Sequence, residues 1–546
     1  MQNKQVFNPF LPLNEYIPDG EPHIFGDRVY HYGSHDKEGG YTFCMQDYVT
    51  YSAPVDDLTD WRFEGVIYKA CQDPDYPEKK YMYAPDVVKG NDGKYYLYYC
   101  MSGDYGQGGY TGTIHVAVCD TPSGQFEFLG EVRYKDGTPM RKYVCFDPAV
   151  LNDNGTIRLY YGTQYNFEEQ EDFRENPNYL KDEMEMFGRS REDIISYIDS
   201  PESYPGGSGP DSIMGAVMTV LEDDMLTVRE NPRHIIPYRV KGTSFEKHPF
   251  FEAASMRKVK DKYYFIYSSF QNHELCYATS DYPDREFTFG GTIVSNGDIG
   301  FNGLEEKEKH NMTGTTHGSI IEINGQWYVF YHRLTHKSDY SRQACAEKIY
   351  IKEDGSIEQV EITSCGLNHG ALQATGHEYP SVIACIITNG NMPHGCNSIF
   401  KTEFPNVTNI GDERFIAEIE DGTLIGYKYF DCRNVKKIEV TTRVETDKNK
   451  VRYEGPLRVD TRSNSAEPAN NGSAKEHSSC DTSSDKISLE VRLSKDGPSV
   501  GEILLNDDDK WNTACAEIAV HDGIHALYFV YHGSLKIQLK SFRFMD

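Results

Sequence analysis

Positive charge is in short supply in this chain: 55 lysines and arginines face 84 aspartates and glutamates over 546 residues, a net charge of −29. Such a surface repels phosphate backbones and anionic lipid, so nucleic acid and membrane are poor partners, whereas a neutral sugar is not excluded. Long apolar runs are missing as well, and nothing has the length of a membrane span. The N-terminal stretch lacks the apolar core of a secretory leader, which points to a cytoplasmic location, or a secreted one if a leader has been removed. The 13 cysteines are odd in number and include no CxxC pair, which argues for buried reduced thiols over a zinc or disulfide framework. Tryptophan is nearly absent, with three against 40 tyrosines and 27 phenylalanines. That aromatic balance suits half-buried pleated surfaces. Helical periodicity is hard to find, and only residues 167–198 suggest helix.

What the sequence does have is a repeat. Five segments share one plan of a polar residue, a short apolar strand, a turn and a Tyr-rich strand: DGEPHIFGDRVYHYGS, PDVVKGNDGKYYLYYC, DPAVLNDNGTIRLYYG, EAASMRKVKDKYYFIYSS and HGSIIEINGQWYVFYHR. Their GD, NDG, NDNG, KD and NG turns are hairpin signals. A spacing of roughly sixty residues holds four strands and their loops, one blade of a propeller. The expectation is an all-β chain: a five-bladed β-propeller over 1–360, a connector with closing strands over 361–395, and a β-sandwich of jelly-roll type over 396–546. The longer gap between the third and fourth repeats suggests an insertion over one face of the propeller. The polar loop SNSAEPANNGSAKEHSSCDTSSD carries no expected chemistry.

The repeat also fixes positions. Counting back ten residues from equivalent points on the second hairpin strands leads from Val29 to Asp19, from Ile157 to Asp147 and from Trp327 to His317. The same count from Tyr95 gives Pro85, beside Asp86, and from Tyr263 gives Ala253, beside Glu252. Equivalent positions on different blades converge on the propeller axis, so Asp19, Asp147, Glu252 and His317 should meet there, with Asp86 nearby. Three carboxyl groups around one funnel suit glycosidic cleavage, in which a protonated acid serves the leaving oxygen and an ionised partner activates water.

At these residues the chain resembles glycoside hydrolase family 43, the inverting arabinofuranosidases and xylosidases, across about residues 7–360. NPFLPLNEYIPDGEPHIF, YAPDVVKGNDGKYYLYY, FDPAVLNDNG, FFEAASMRKVKDKYYFIYSS and THGSIIEINGQWYVFYHR carry the likeness in order. The resemblance implies Asp19 as general base, Glu252 as general acid and Asp147 as the group that orients the acid and modulates its pKa. Gly20 stands where the family has proline, which leaves Glu21 as the alternative base, although the ten-residue count favours Asp19. The resemblance also implies a channel cation, often calcium, at His317. Arg333 and Asp86 are candidate substrate contacts. The C-terminal part is similar to carbohydrate-binding module family 6, which implies a structural calcium near Glu418 and Glu420; the alternative is a docking sandwich without sugar binding. The expected activity is inverting exo-hydrolysis of terminal α-L-arabinofuranosyl or β-D-xylosyl residues from plant cell-wall oligosaccharides of xylan or arabinan type, with no cofactor needed for the chemistry. A retaining propeller glycosidase and a non-catalytic sugar-binding propeller are the alternatives.

Overall fold

In the computed structural model the described residues are 4–102, 112–141, 144–163, 190–192, 215–237, 240–395, 399–452 and 486–546. The helix expected over 167–198 and the polar loop before residue 486 lie almost wholly outside them. Within them no helix is long and apolar enough to cross a membrane.

Five antiparallel sheets follow one another along the chain, four with four strands and the last with three. Each opens with the hairpin that the sequence repeats. In the first blade Glu21–Phe25 pairs with Arg28–Tyr32, and in the fourth Phe250–Val259 pairs with Lys262–Ser269. The long insertion falls inside the third blade, between Thr156–Tyr161 and Val217–Leu221. Apolar clusters fill the gaps between neighbouring blades, including one that joins the first blade to the fifth through Val29, Val49, Phe330 and Ala346. This last cluster closes the ring. The N-terminal segment completes the closure: the Phe10 N–H donates to the Ala344 carbonyl, and the Asn8 amide bonds both the N–H and the carbonyl of Ala346 like a strand neighbour.

The C-terminal unit is a sandwich of two six-stranded sheets around one apolar core. Residues 361–395, expected as a connector, carry three short strands (Leu372–Gln373, Glu378–Pro380 and Ile386–Thr388) that pair with sandwich strands. A single apolar cluster runs from the fourth and fifth blades into the sandwich, through Tyr277, Ile320 and Ile349 to Ile386, Ala526 and Tyr528. A continuous core of this kind resists separation of the two units, because parting them would expose apolar surface to water.

Candidate active site

Three of the five equivalent blade positions share an uncommon backbone. Asp19, Asp147 and Ala253 all have positive φ, at 59°, 47° and 66°. The left-handed turn comes just before the inner strand in the first and third blades and inside Phe250–Val259 in the fourth. In the fourth blade the ladder shifts register on both sides of Glu252, which places this residue one position off the count and still in the pocket. Gly20 is required locally, since a Cβ there would sit 2.3 Å from the His31 ring.

A pocket of about 630 Å³ gathers Asp19, Asp147, Glu252, His317, His332 and Arg342, with Phe43, Tyr83, Phe146 and Phe251 as aromatic walls. Arg342 Nη1 donates to Asp19 Oδ1 at 2.7 Å, while its Nε and Nη2 bond the two oxygens of buried Asp36 at 2.8 and 3.0 Å. His332 Nδ1 lies 3.4 Å from Asp19, and His317 Nδ1 lies 3.9 Å from Asp19 and 3.7 Å from Asp147. The Ala253 N–H donates to Asp147 Oδ2 at 3.1 Å, so Asp147 grips the turn that carries Glu252.

Asp19 is buried and Glu252 half-buried, and the two carboxyls are driven in opposite directions. Burial raises the pKa of Asp19, but the Arg342 guanidinium, followed by His317 and His332, outweighs it and holds the carboxyl below its usual range. Burial pushes Glu252 up to about 8; the Asp19 charge adds to the rise and Arg342 opposes it. Asp147 is raised well above the usual range by burial, then by Glu252 and Asp19. Glu252 is opposed by the like charges of Asp19 and Asp147, and Asp147 also holds the acid's turn through the backbone of Ala253. One pocket thus holds an ionised carboxylate and a protonated carboxylic acid, the pair that acid/base hydrolysis requires.

Three expectations need correction. Asp86 does not line the pocket: it is buried, accepting from His23 and from the Val87 and Val150 N–H groups, and so ties the first three blades together. Arg333 points the other way from His332, because successive side chains alternate across a strand. It bonds Gln343 and the carbonyls of Val382 and Ala384 on the segment leading into the sandwich. The pocket's cation is instead Arg342, from the partner strand Ser338–Ile349, which the repeat does not cover. Glu418 binds Lys337 Nζ through both oxygens, at 3.0 and 2.9 Å, and Glu420 accepts from Asn389; an ammonium stands where calcium was expected. At His317 a hard cation would have to draw most of its ligands from water. The histidine offers one nitrogen beside an Asp19 oxygen already bound to Arg342, and calcium takes six to eight oxygens. Among the described residues the clusters that could hold a metal all lie elsewhere.

Glu21, the alternative base, lies just beyond the pocket. Its carboxylate meets Arg257 Nη2, and Arg257 also donates to the carbonyls of Ile320 and Met256. Arg257 comes from the fourth blade and Glu21 from the first, so this pair spans the axis beside His23 and Asp86. It is a plug and not part of the pocket.

The description glycosyl hydrolases family 43 matches residues 22–183. A xylosidase/arabinosidase from Thermoclostridium stercorarium is 41% identical to this chain, over 99% of it and 98% of the relative. Xylosidase/arabinosidase 43A from Humicola insolens is 31% identical over 64% of this chain and 97% of its own. Among solved structures, a family 43 arabinoxylan arabinofuranohydrolase from Bacillus subtilis overlays with a TM-score of 0.43 and 17% identity, across 99% of this chain and 97% of that one. The end-to-end similarity of the first relative, together with the family match over the early blades, shows that this chain is a glycoside hydrolase and belongs to glycosyl hydrolase family 43.

Proposed function

We propose that the chain is an inverting exo-glycosidase that releases terminal α-L-arabinofuranosyl or β-D-xylosyl residues from xylan- or arabinan-type oligosaccharides. The sugar class is supported by the relatives, which are named xylosidase/arabinosidase. The observation that carries the mechanism is the opposed setting of two carboxyls in one pocket: Asp19 is bonded to Arg342 and held low, while Glu252 is pushed up by burial and the Asp19 charge. Glu252 gives its proton to the glycosidic oxygen as the bond to the anomeric carbon breaks. Asp19 takes a proton from the water that attacks that carbon from the opposite face. Asp147 holds the turn that aims Glu252. The rings of Phe43, Tyr83, Phe146 and Phe251 offer apolar faces to the sugar. The scheme uses carboxyl groups and water alone.

Proton NMR of the first-released sugar tests this reading. Xylose or arabinose should appear first as the inverted anomer and then mutarotate. Initial release with retained configuration overturns single displacement in favour of a nucleophilic carboxylate. Paired nitrophenyl arabinofuranoside and xyloside substrates assign the sugar, and turnover of neither refutes the substrate class.

A further inference from the structure

The turn between strands Gln326–Thr335 and Ser338–Ile349 of the fifth blade consists of His336 and Lys337, both at positive φ, 57° and 54°. Two such residues make a type I′ hairpin, a conformation that favours Asn and Gly. Long side chains there must be held from outside, and the sandwich holds them. Lys337 Nζ is buried against both oxygens of Glu418, and its carbonyl accepts from the Phe400 N–H at 2.8 Å. The His336 N–H donates to the Val407 carbonyl at 2.9 Å, and its Nε2 lies 2.8 Å from Asn409 Oδ1. Arg342 follows on the return strand, just past the register shift near the turn.

The other side of the Arg342 seat is the loop that carries Asp36. Two residues further along, Glu38 receives Arg414 of the sandwich through Nε at 3.0 Å and Nη2 at 2.9 Å, and it also accepts from Tyr16. The Gly39 N–H donates to Ser341 Oγ at 3.1 Å, which ties the loop to the hairpin. Each of the two elements that aim Arg342 at Asp19 is therefore fastened to the sandwich by its own ion pair. A tethered sugar-binding module would need neither pair.

We propose that the sandwich is a positioning module for the catalytic base, with Lys337–Glu418 and Glu38–Arg414 holding the hairpin and the Asp36 loop where Arg342 meets Asp19. The proposal rests on the reading of Asp19 as base. The charged and titratable groups facing Asp19 are Arg342, His332, His317, His31 and Tyr48, with Asp147 and Glu252 across the pocket; Asp36 and Cys44 face Arg342 from behind.

Three full-length variants test it: Lys337→Met with Glu418→Gln, Arg414→Gln, and the control Val491→Ala deep in the sandwich core. Releasing the hairpin or the loop withdraws the guanidinium from Asp19, so the acidic limb of kcat/KM should move to higher pH. At the optimum kcat should fall about tenfold for the double variant and less for Arg414→Gln, because small misplacements of a catalytic group are costly. Arg414→Lys should restore part of the limb. Val491→Ala should lower the thermal midpoint and leave the limb in place. The proposal is overturned if Arg414→Gln and the double variant lose thermal stability as the control does while their acidic limbs stay at the wild-type position. If the double variant does not fold, the limb of Arg414→Gln decides alone. Failure of the underlying reading is distinguishable, because wild-type activity in Asp19→Asn would remove Asp19 as base whatever the sandwich variants do.

Discussion

Two buried charge clusters lie next to each other along the propeller axis, and they contain nearly the same residue types. The pocket has Asp19, Glu252, Arg342 and two histidines; the plug has Glu21, Asp86, Arg257 and His23. Both contain a carboxyl raised to about 8, Glu252 in one and Glu21 in the other, with burial as the main cause. A perturbed carboxyl is therefore not what distinguishes a catalytic site here. The difference is what surrounds the guanidinium. Arg257 is surrounded by carbonyls and a carboxylate, within packed strands. Arg342 is backed by Asp36, touches Asp19 and leaves the remaining carboxyls facing open space between aromatic walls. Access, and a bonded cation on only one of the pocket's three carboxyls, turn a buried ion cluster into acid/base machinery.

The sharpest way to break this comparison is to neutralise one carboxyl at a time. Asp19→Asn and Glu252→Gln should each lower kcat on unactivated oligosaccharides by about 10²–10⁴-fold, the usual worth of a positioned acid or base, whereas Glu21→Gln should leave activity per folded molecule within about twofold. Leaving groups separate the first two. A nitrophenolate departs without protonation, so Glu252→Gln should recover much of its rate on aryl glycosides and Asp19→Asn should not. Equal losses in all three variants would mean that the plug belongs to the site.

The pH dependence is the next largest effect. Asp19, held low, must be ionised, and Glu252, at about 8, must be protonated. The profile of kcat/KM should be a bell with its acidic limb below the ordinary carboxylate range and its basic limb near 8; Glu252→Gln should erase the basic limb. The same group affects stability with a definite sign. Glu252 keeps its proton when folded up to about 8, whereas the unfolded chain releases it near the ordinary glutamate value of 4.5. The unfolded state binds fewer protons across that window, so this group's contribution to stability is intact below 4.5 and is lost as pH rises towards 8. Thermal melts of Glu252→Gln across that range should show a flatter decline than wild type.

The four pocket residues Asp19, Asp147, Glu252 and His317 were legible in the sequence because rotational symmetry converts a count along each blade into a place on the axis. Glu252 escaped the count by one residue, since the ladder shifts register around it and no single sequence announces a bulge. Arg342 was missed because it sits on the third strand of its blade, which carries no repeated motif; its one signal is an arginine inside the otherwise uncharged run SRQACA. Arg333 was the wrong arginine for a related reason. Without the strand's facing, His332 and Arg333 are equally good guesses, and a shift of one residue moves a side chain to the other face. The calcium expectation at Glu418 failed because an ion pair and a calcium site look alike in sequence: Glu418 is the same residue whether it meets an ammonium or a metal ion.

Arg257 gives the smallest expected effect on catalysis and the clearest test of the plug. Arg257→Met removes the only guanidinium donating to Glu21 and leaves that carboxyl beside Asp86 with no cation between them. Glu21, raised to about 8, keeps its proton near neutrality, so the charge that loses its cation is Asp86, and deleting one partner of a buried charge cluster is destabilising. The thermal midpoint should therefore fall markedly. Adding Glu21→Leu should restore most of it, since replacing both partners by apolar groups is often neutral. In both variants kcat per folded molecule should stay near wild type with an unshifted acidic limb, because neither residue touches Asp19 or Arg342. A limb that moved with Arg257→Met would show that the two clusters titrate as one, and the distinction between plug and pocket would have to be given up.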